Sequence, residues 1–256
     1  MTRVTTLGGS AASPNAGMGC AGLLVQTSEA TLLLDFGPGT FPELRQHTDF
    51  RTLSAVIISH MHIDHMLDLL ALRHALAYNP VPAPHPVPIW LPPGGKEILD
   101  RATAPFDACD MPGRFAATVD VREYDPNRPL QIGDTRVTFA PAVHYIPAWA
   151  MRIKAPVGDI GYTGDTGPAA RLAGFFADVG LLVAEATLLD AEGYDDATRG
   201  SLTAAEAGAL ATASRARALI LTHIWEERGF ASALQQAKAA YKGPIHVARP
   251  GVSVTL

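Results

Sequence analysis

The segment Ser59-His60-Met61-His62-Ile63-Asp64-His65 constrains this chain more than any other. It places three histidines and an aspartate, all metal-ligating types, directly after an apolar run, Ala55-Val56-Ile57-Ile58, that reads as a buried strand. A helical pattern over 66–78 follows at once, with apolar residues at 66, 69, 70, 72 and 76, and it stops at Asn79-Pro80. A strand that feeds a polar turn and then a helix is how α/β sheets present ligand sites, at the carboxyl ends of their strands. His60 and His62 are two apart and can point to one side of an extended segment, while Asp64 and His65 stand where the helix begins and can serve a second point. Imidazole and carboxylate suit zinc, and also manganese or iron.

Three more candidates lie just past predicted strands: His144 after 136–141, Asp165 after 159–163 and His223 after 218–222. Each is weak alone, but four strand ends carrying such side chains read as one rim. Further strands are expected at 4–7, 23–26, 31–36, 55–59, 87–91, 118–124, 149–154, 181–185, 245–248 and 252–256, and further helices at 95–103, 168–176, 203–214 and 232–241. Thr203 and Glu206 have capping-box spacing. Strands come first as meanders and then alternate with helices, which implies sheet packed between helices. No linker or low-complexity segment divides residues 1–256, so one domain is expected. The prolines at 80, 82, 84, 86, 88, 92 and 93 make 79–93 a stiff extended loop with a strand at its end.

Composition excludes several classes. Twenty basic residues against 25 acidic ones leave a net charge of −5, the wrong sign for a broad duplex nucleic-acid surface. The two cysteines, Cys20 and Cys109, make neither a disulfide framework nor a Cys-rich zinc cluster. No secretory h-region opens the sequence and no window of about 18 apolar residues could span a membrane, so a cytoplasmic setting is expected. Gly17-Met18-Gly19-Cys20-Ala21-Gly22 matches GxGxxG but precedes a strand, so it reads as a flexible glycine loop near the site and not as a dinucleotide fingerprint. No GxSxG nucleophile elbow is present. His47, His74, His85 and His246 have no motif context and read as surface or satisfied histidines, with His85 in the proline loop able to reach the rim. Tyr145 could contact substrate, and Glu185, at a strand end, could orient a ligand.

Together these residues resemble a known family. Ser59-His-Met-His-Ile-Asp-His65 resembles the HxHxDH signature of the metallo-β-lactamase superfamily, Tyr162-Thr-Gly-Asp165-Thr its bridging-aspartate motif, and Leu221-Thr-His223 its last histidine. The start, Leu7-Gly-Gly-Ser-Ala-Ala-Ser-Pro-Asn, with Leu34-Asp-Phe-Gly-Pro-Gly-Thr and Ala184-Glu-Ala-Thr187, is most similar to the ribonuclease Z-like branch and its small bacterial phosphodiesterase relatives. The resemblance implies an αββα sandwich and two divalent metal ions, zinc first, with Mn2+ or Fe2+ as alternatives. It assigns His60, His62 and His144 to one ion and Asp64, His65 and His223 to the other, with Asp165 bridging both. It also implies a homodimer as one compatible state.

Two departures bear on substrate. Ribonuclease Z carries His-Glu-Ala-Thr where this chain has Ala184-Glu-Ala-Thr, and the missing histidine is that family's proposed general acid. No long basic insertion resembles a tRNA-gripping arm. The expected activity is therefore metal-dependent hydrolysis of a small-molecule or nucleotide phosphodiester, cyclic or short, or of an RNA end. A metal pair lowers the pKa of water toward 7, so no protein nucleophile is required, and Asp64 is the candidate proton acceptor. The rivals are hydrolysis of a lactone, thioester or sulfate ester on the same metals, an iron redox member of the fold, and a non-catalytic metal-binding module. Redox members usually carry Glu in place of His62, and a binding module is expected to have lost a ligand, whereas none is missing here.

Overall fold

The computed structural model describes residues 1–108 and 117–256; Cys109 lies outside the described residues. The first sheet contains β1 (Arg3–Thr6), β2 (Leu23–Gln26), β3 (Thr31–Leu34), β4 (Ala55–Ile57), β5 (Val87–Leu91) and β6 (Val119–Glu123). The second contains β7 (Leu130–Ile132), β8 (Thr135–Pro141), β9 (Trp149–Lys154), β10 (Ile160–Tyr162), β11 (Leu181–Glu185), β12 (Leu219–Thr222) and β13 (Ile245–Val247). The last strand, β14 (Ser253–Thr255), returns to pair antiparallel with β1, with Arg3 opposite Thr255. Strand orders are β14-β1-β2-β3-β4-β5-β6 and β13-β12-β11-β10-β9-β8-β7.

The near-continuous apolar strands are explained by burial of both sheet faces. With side chains alternating, Leu32 and Leu34 of β3 and Ala55 and Ile57 of β4 enter the core between the sheets, where they meet Leu181 and Val183 of β11. Their neighbours Leu33 and Val56 point outward beneath a helical layer. That layer is α1 (Phe41–His47), α2 (Ile63–Met66), α3 (Asp68–Tyr78) and α4 (Gly95–Asp107). On the other side, Leu182, Ala184, Leu219 and Leu221 face α5 (Ala170–Phe175), α6 (Ala204–Ala213) and α7 (Phe230–Ala240). The result is the expected αββα sandwich.

Local chemistry sets the helix ends. In α3 the buried residues are Leu69, Leu72 and Leu76, one stripe of a 3.6-residue helix. The capping box at α6 forms as expected: Glu206 N donates to Thr203 Oγ1 (3.2 Å) and Thr203 N donates to Glu206 Oε2 (2.8 Å). Helix α1 and strand β7 were not anticipated. Each buries little, a single Leu44 in α1 and only partly covered residues in β7, so neither imposes a clear period. In the glycine run 17–22, Gly17 is exposed with open space about it, whereas Gly19 and Gly22 are closely packed: a Cβ on Gly19 would lie 2.6 Å from the Gly39 carbonyl carbon and one on Gly22 2.9 Å from the Thr40 side chain. Among the described residues no helix is long and apolar enough to cross a membrane.

Candidate metal centre

Both sheets end in loops on one rim. From the first sheet, β4 leads through Ser59 and His60 into α2. This helix starts at Ile63, three residues before the expected start, so Asp64 and His65 stand inside its single turn. The turn is pinned from beside β3: Phe36 N donates to the His65 carbonyl (2.7 Å), and Gly37 passes so close that a Cβ there would lie 1.9 Å from the Asp64 carbonyl oxygen. The second sheet supplies His144 after β8, Asp165 after β10 and His223 directly after β12. His223 has φ 58, a left-handed conformation costly for a non-glycine residue and characteristic of functional sites.

These seven residues gather in two groups of potential ligand atoms, His60, His62, His144 and Asp165 in one and Asp64, His65, Asp165 and His223 in the other, each group within 4.8 Å. In the first, His62 Nδ1 lies 3.1 Å from His60 Nε2 and 3.0 Å from His144 Nε2, and Asp165 Oδ2 lies 3.8 Å from both other histidine nitrogens. In the second, Asp64 Oδ2 is 3.0 Å from His223 Nε2 and 3.4 Å from His65 Nε2, while Asp165 is 3.2 Å from His65 and 3.4 Å from His223. Donors about 2.1 Å from a tetrahedral ion lie about 3.4 Å apart, so the spacing fits. His65 Nε2 and Asp165 Oδ1 are buried without a hydrogen-bond partner, a costly state that a cation would relieve.

The surroundings fix which nitrogen is bare. His144 Nδ1 lies 2.7 Å from the Gly200 carbonyl, which can only accept, so Nδ1 carries the proton and Nε2 faces the cluster as a lone pair. Ser59 Oγ donates to Asp35 Oδ2 (2.8 Å) and therefore accepts from His60 Nδ1 (3.0 Å). Asp35, buried and at φ 56, also accepts from His65 Nδ1 (2.7 Å), Tyr162 Oη (2.6 Å) and Ser59 N (2.6 Å). Thr187 Oγ1 donates to Glu185 Oε2 (2.5 Å) and accepts from His223 Nδ1 (2.7 Å). Glu185 thus bears on a candidate ligand as expected, but through a threonine. Such outer partners fix ring orientation and raise ligand basicity.

Electrostatics divide the two groups. Burial pushes His60 well below the ordinary histidine value, and lowers His62 and His144 as well, so the first group presents neutral nitrogens. In the second, burial works against charge, but Asp165 and Asp35 raise His65 well above its ordinary value, and Asp165 with Asp64 raises His223. Burial opposes ionisation of Asp64 and Asp165 too, yet the His223 bond to Asp64 and the charge of His223 and His65 beside both carboxyls hold them far below the usual range. Two ionised buried carboxylates within reach of four imidazoles call for a cation. Burial pushes the Cys20 thiol up to about 12, which keeps it protonated and out of the donor set.

The other candidates fall elsewhere. His246 is exposed on β13, His47 pairs with Glu43 at 2.7 Å, His74 stacks near Tyr78, and His85 is exposed with Nδ1 3.2 Å from the Pro86 carbonyl. Tyr145 is 65% exposed beside His144, ring centroids 5.1 Å apart. The proton-donor argument at Ala184 needs correction. Its side chain is fully buried and faces the α5–α7 layer, away from the cluster, because β11 alternates and Glu185 takes the rim-facing position. A histidine there would be sealed in the outer core.

A family model described as a β-lactamase superfamily domain matches residues 30–224. The chain belongs to that superfamily. Among curated relatives, a probable metallo-hydrolase of Bacillus subtilis, YhfI, is 26% identical over 251 residues, covering 97% of this chain and 98% of the relative. A ribonuclease Z of Myxococcus xanthus is 27% identical, covering 100% of this chain and 98% of its own. The crystal structure of the metallo-β-lactamase fold protein YhfI superposes with a TM-score of 0.84 at 25% identity, over 99% of this chain and 98% of that one. The superfamily chain described here is thus a metallo-hydrolase family member with a His/Asp cluster able to bind metal.

Proposed function

We propose that the protein is a binuclear-metal hydrolase, a phosphodiesterase acting on cyclic or small nucleotides or on RNA ends. The observation that carries it is Asp165: one buried carboxylate belongs to both donor groups, which is what a shared ligand between two ions requires. His60, His62 and His144 would hold one ion and Asp64, His65 and His223 the other, zinc being the first choice for this donor set. When bound, such a pair supplies Lewis acidity and lowers the pKa of water toward neutrality. The residues do the rest. Asp64 Oδ2 is fixed by the Ala12 amide (3.0 Å) and by His223, so the carboxylate has one orientation. Asp64 is the candidate acceptor of the proton that water gives up.

The phosphodiester reading is supported by the ribonuclease Z relative and by a solved diphosphatase of the PhnP family that shares the fold at a TM-score of 0.76 and 17% identity. Ile63 (64% exposed) and Tyr145 (65% exposed) stand next to His62 and His144 and offer apolar surface for the organic part of a diester. The test is metal analysis with a substrate panel: aryl phosphodiesters, cyclic AMP, a precursor tRNA, a lactone, a thioester and a sulfate ester. Close to two ions per chain and preferential turnover of the phosphodiesters is the expected result. Turnover of the lactone, thioester or sulfate ester alone would overturn the substrate class, and undiminished activity without metal the whole reading.

A further inference from the structure

Arg199 is nearly sealed from solvent, its side chain 1% exposed. Its Nη1 donates to the Ser201 carbonyl (3.0 Å) and to Glu206 Oε2 (2.9 Å), its Nε donates to Asp196 (2.7 Å), and its Nη2 pairs with Glu206 Oε1. Its carboxylate partners reach solvent, the Glu206 side chain 32% and the Asp196 side chain 72% exposed, and ion pairs open to water contribute little to stability. The pairing is a good device for geometry, because the guanidinium fork fixes direction.

What it fixes is the backbone of residues 199 and 200. The Arg199 carbonyl lies over Gly167, where a Cβ would be 1.9 Å from that oxygen. Gly167 N in turn donates to the Val143 carbonyl (2.6 Å). Gly200 O accepts from His144 Nδ1 (2.7 Å), and a Cβ on Gly200 would stand 2.8 Å from that nitrogen. The turn is therefore wedged between the loop that carries Asp165 and the loop that carries His144. At its far side Glu206, which binds the fork, is also the third residue of the α6 capping box.

We propose that Arg199 is a positioning residue acting on the first donor group more than on the second: it locks the 199–203 turn to the start of α6, and so holds the Gly200 carbonyl against His144 and keeps His144 Nε2 turned toward His62 and Asp165. The second group has its own outer partners, His65 held by Asp35 and His223 by Thr187 with Glu185, and the turn reaches it only indirectly, through the Asp165 loop and through Leu188 N, which donates to the Leu202 carbonyl (3.0 Å). The inference rests on the proposed metal reading of the cluster, and its signature is asymmetry between two ions.

The experiment measures stepwise zinc and cobalt affinities by chelator competition, with cobalt absorption as a second readout. His62→Ala and His223→Ala, each belonging to one group only, assign the two steps. Arg199→Met should weaken the His62-assigned step by about 10-fold, the lower end of the cost of losing an outer partner because the Gly200 carbonyl itself remains, and weaken the other step by clearly less. Arg199→Lys, which keeps charge but not the fork, should fall between. Should Arg199→Met fail to fold, Glu206→Gln, which keeps an acceptor for the capping box, should show the same asymmetry. Leu172→Ala, in the α5 core, controls for plain destabilisation and should shift melting temperature without separating the steps. Equal loss of both steps, or wild-type affinities in Arg199→Met, overturns the inference while the metal reading stands. An unmodified protein that binds no ion overturns both.

Discussion

Replacing Asp35 by asparagine tests whether the site is held by its surroundings as strictly as the geometry implies. The substitution preserves shape, and asparagine tolerates the left-handed backbone at φ 56 as well as aspartate does, so the change isolates hydrogen bonding. Asp35 Oδ2 accepts from Ser59 Oγ, His65 Nδ1 and Tyr162 Oη, and Oδ1 accepts from Ser59 N. An amide does best by putting its oxygen at the three-donor position, which leaves its NH2 facing the Ser59 amide. At least one buried N–H, that of Ser59, then goes unmet, at about 1–3 kcal/mol, and three charge-assisted bonds become neutral ones, losing roughly 0.5–1 kcal/mol each. The sum is at least about 2.5–6 kcal/mol, comparable to much of a domain's stability. At about 2–4 °C per kcal/mol the melting temperature should fall by roughly 5–24 °C. With the bond to His65 Nδ1 neutral instead of charge-assisted, the ring is a weaker ligand and the ion bound by the second group should also weaken, by about 10-fold. Calorimetry with and without chelator, and zinc competition, read the two effects. An Asp35→Asn protein that melts within about 2 °C of the parent and binds both ions unchanged would refute the reasoning.

Asp165→Ala removes a donor from both groups and should cost more than about 100-fold at each step, beyond the loss of any outer partner, with folding retained by circular dichroism. Ala184→His should lower stability by about 2–5 kcal/mol, through overpacking and an unpaired buried ring, and should leave the leaving-group dependence across aryl phosphodiesters unaltered; flattening of that dependence would show that the imidazole reaches substrate after all. In the metal-free protein His65 and His223 have folded values raised above the ordinary one, so the stability they contribute is present below about pH 6.5 and is lost as pH rises through the folded values. Zinc addition near neutrality should therefore release protons, about two per chain by indicator titration, and affinity should rise with pH; a pH-independent affinity without proton release would contradict the assigned protonation states.

The rim was legible because its side chains are rare types at strand ends, and strand ends announce themselves by apolar runs such as Ala55–Ile57 and Leu219–Thr222. Histidine and aspartate identity carried the chemistry, and strand meanders followed by alternating strands and helices carried the sheet packed between helices. What escaped was contact at long range. Nothing local marks Gly200 as the acceptor for His144, since the bond is made by a backbone carbonyl 56 positions away. Asp35 offered a partial signal, a lone carboxylate just past the apolar strand Thr31–Leu34, but its four donors come from Ser59, His65 and Tyr162. Ala184 shows the opposite failure: a motif position was read as facing the site when strand alternation turns it away.

The distance along the chain between Asp64 and His223, 159 positions for atoms that end 3.0 Å apart, also sets a schedule. At about 5–20 residues per second, a ribosome delivers the final donor roughly 8–30 s after the HxHxDH turn has emerged. Through that interval His60, His62, Asp64 and His65 are a half-built chelator facing whatever ions the surroundings offer, and β1 still waits for β14. Selection of the right ion is thus deferred to the moment the second sheet closes over the first, so the identity of the metal in a cell should depend on the supply at the end of synthesis more than on intrinsic preference.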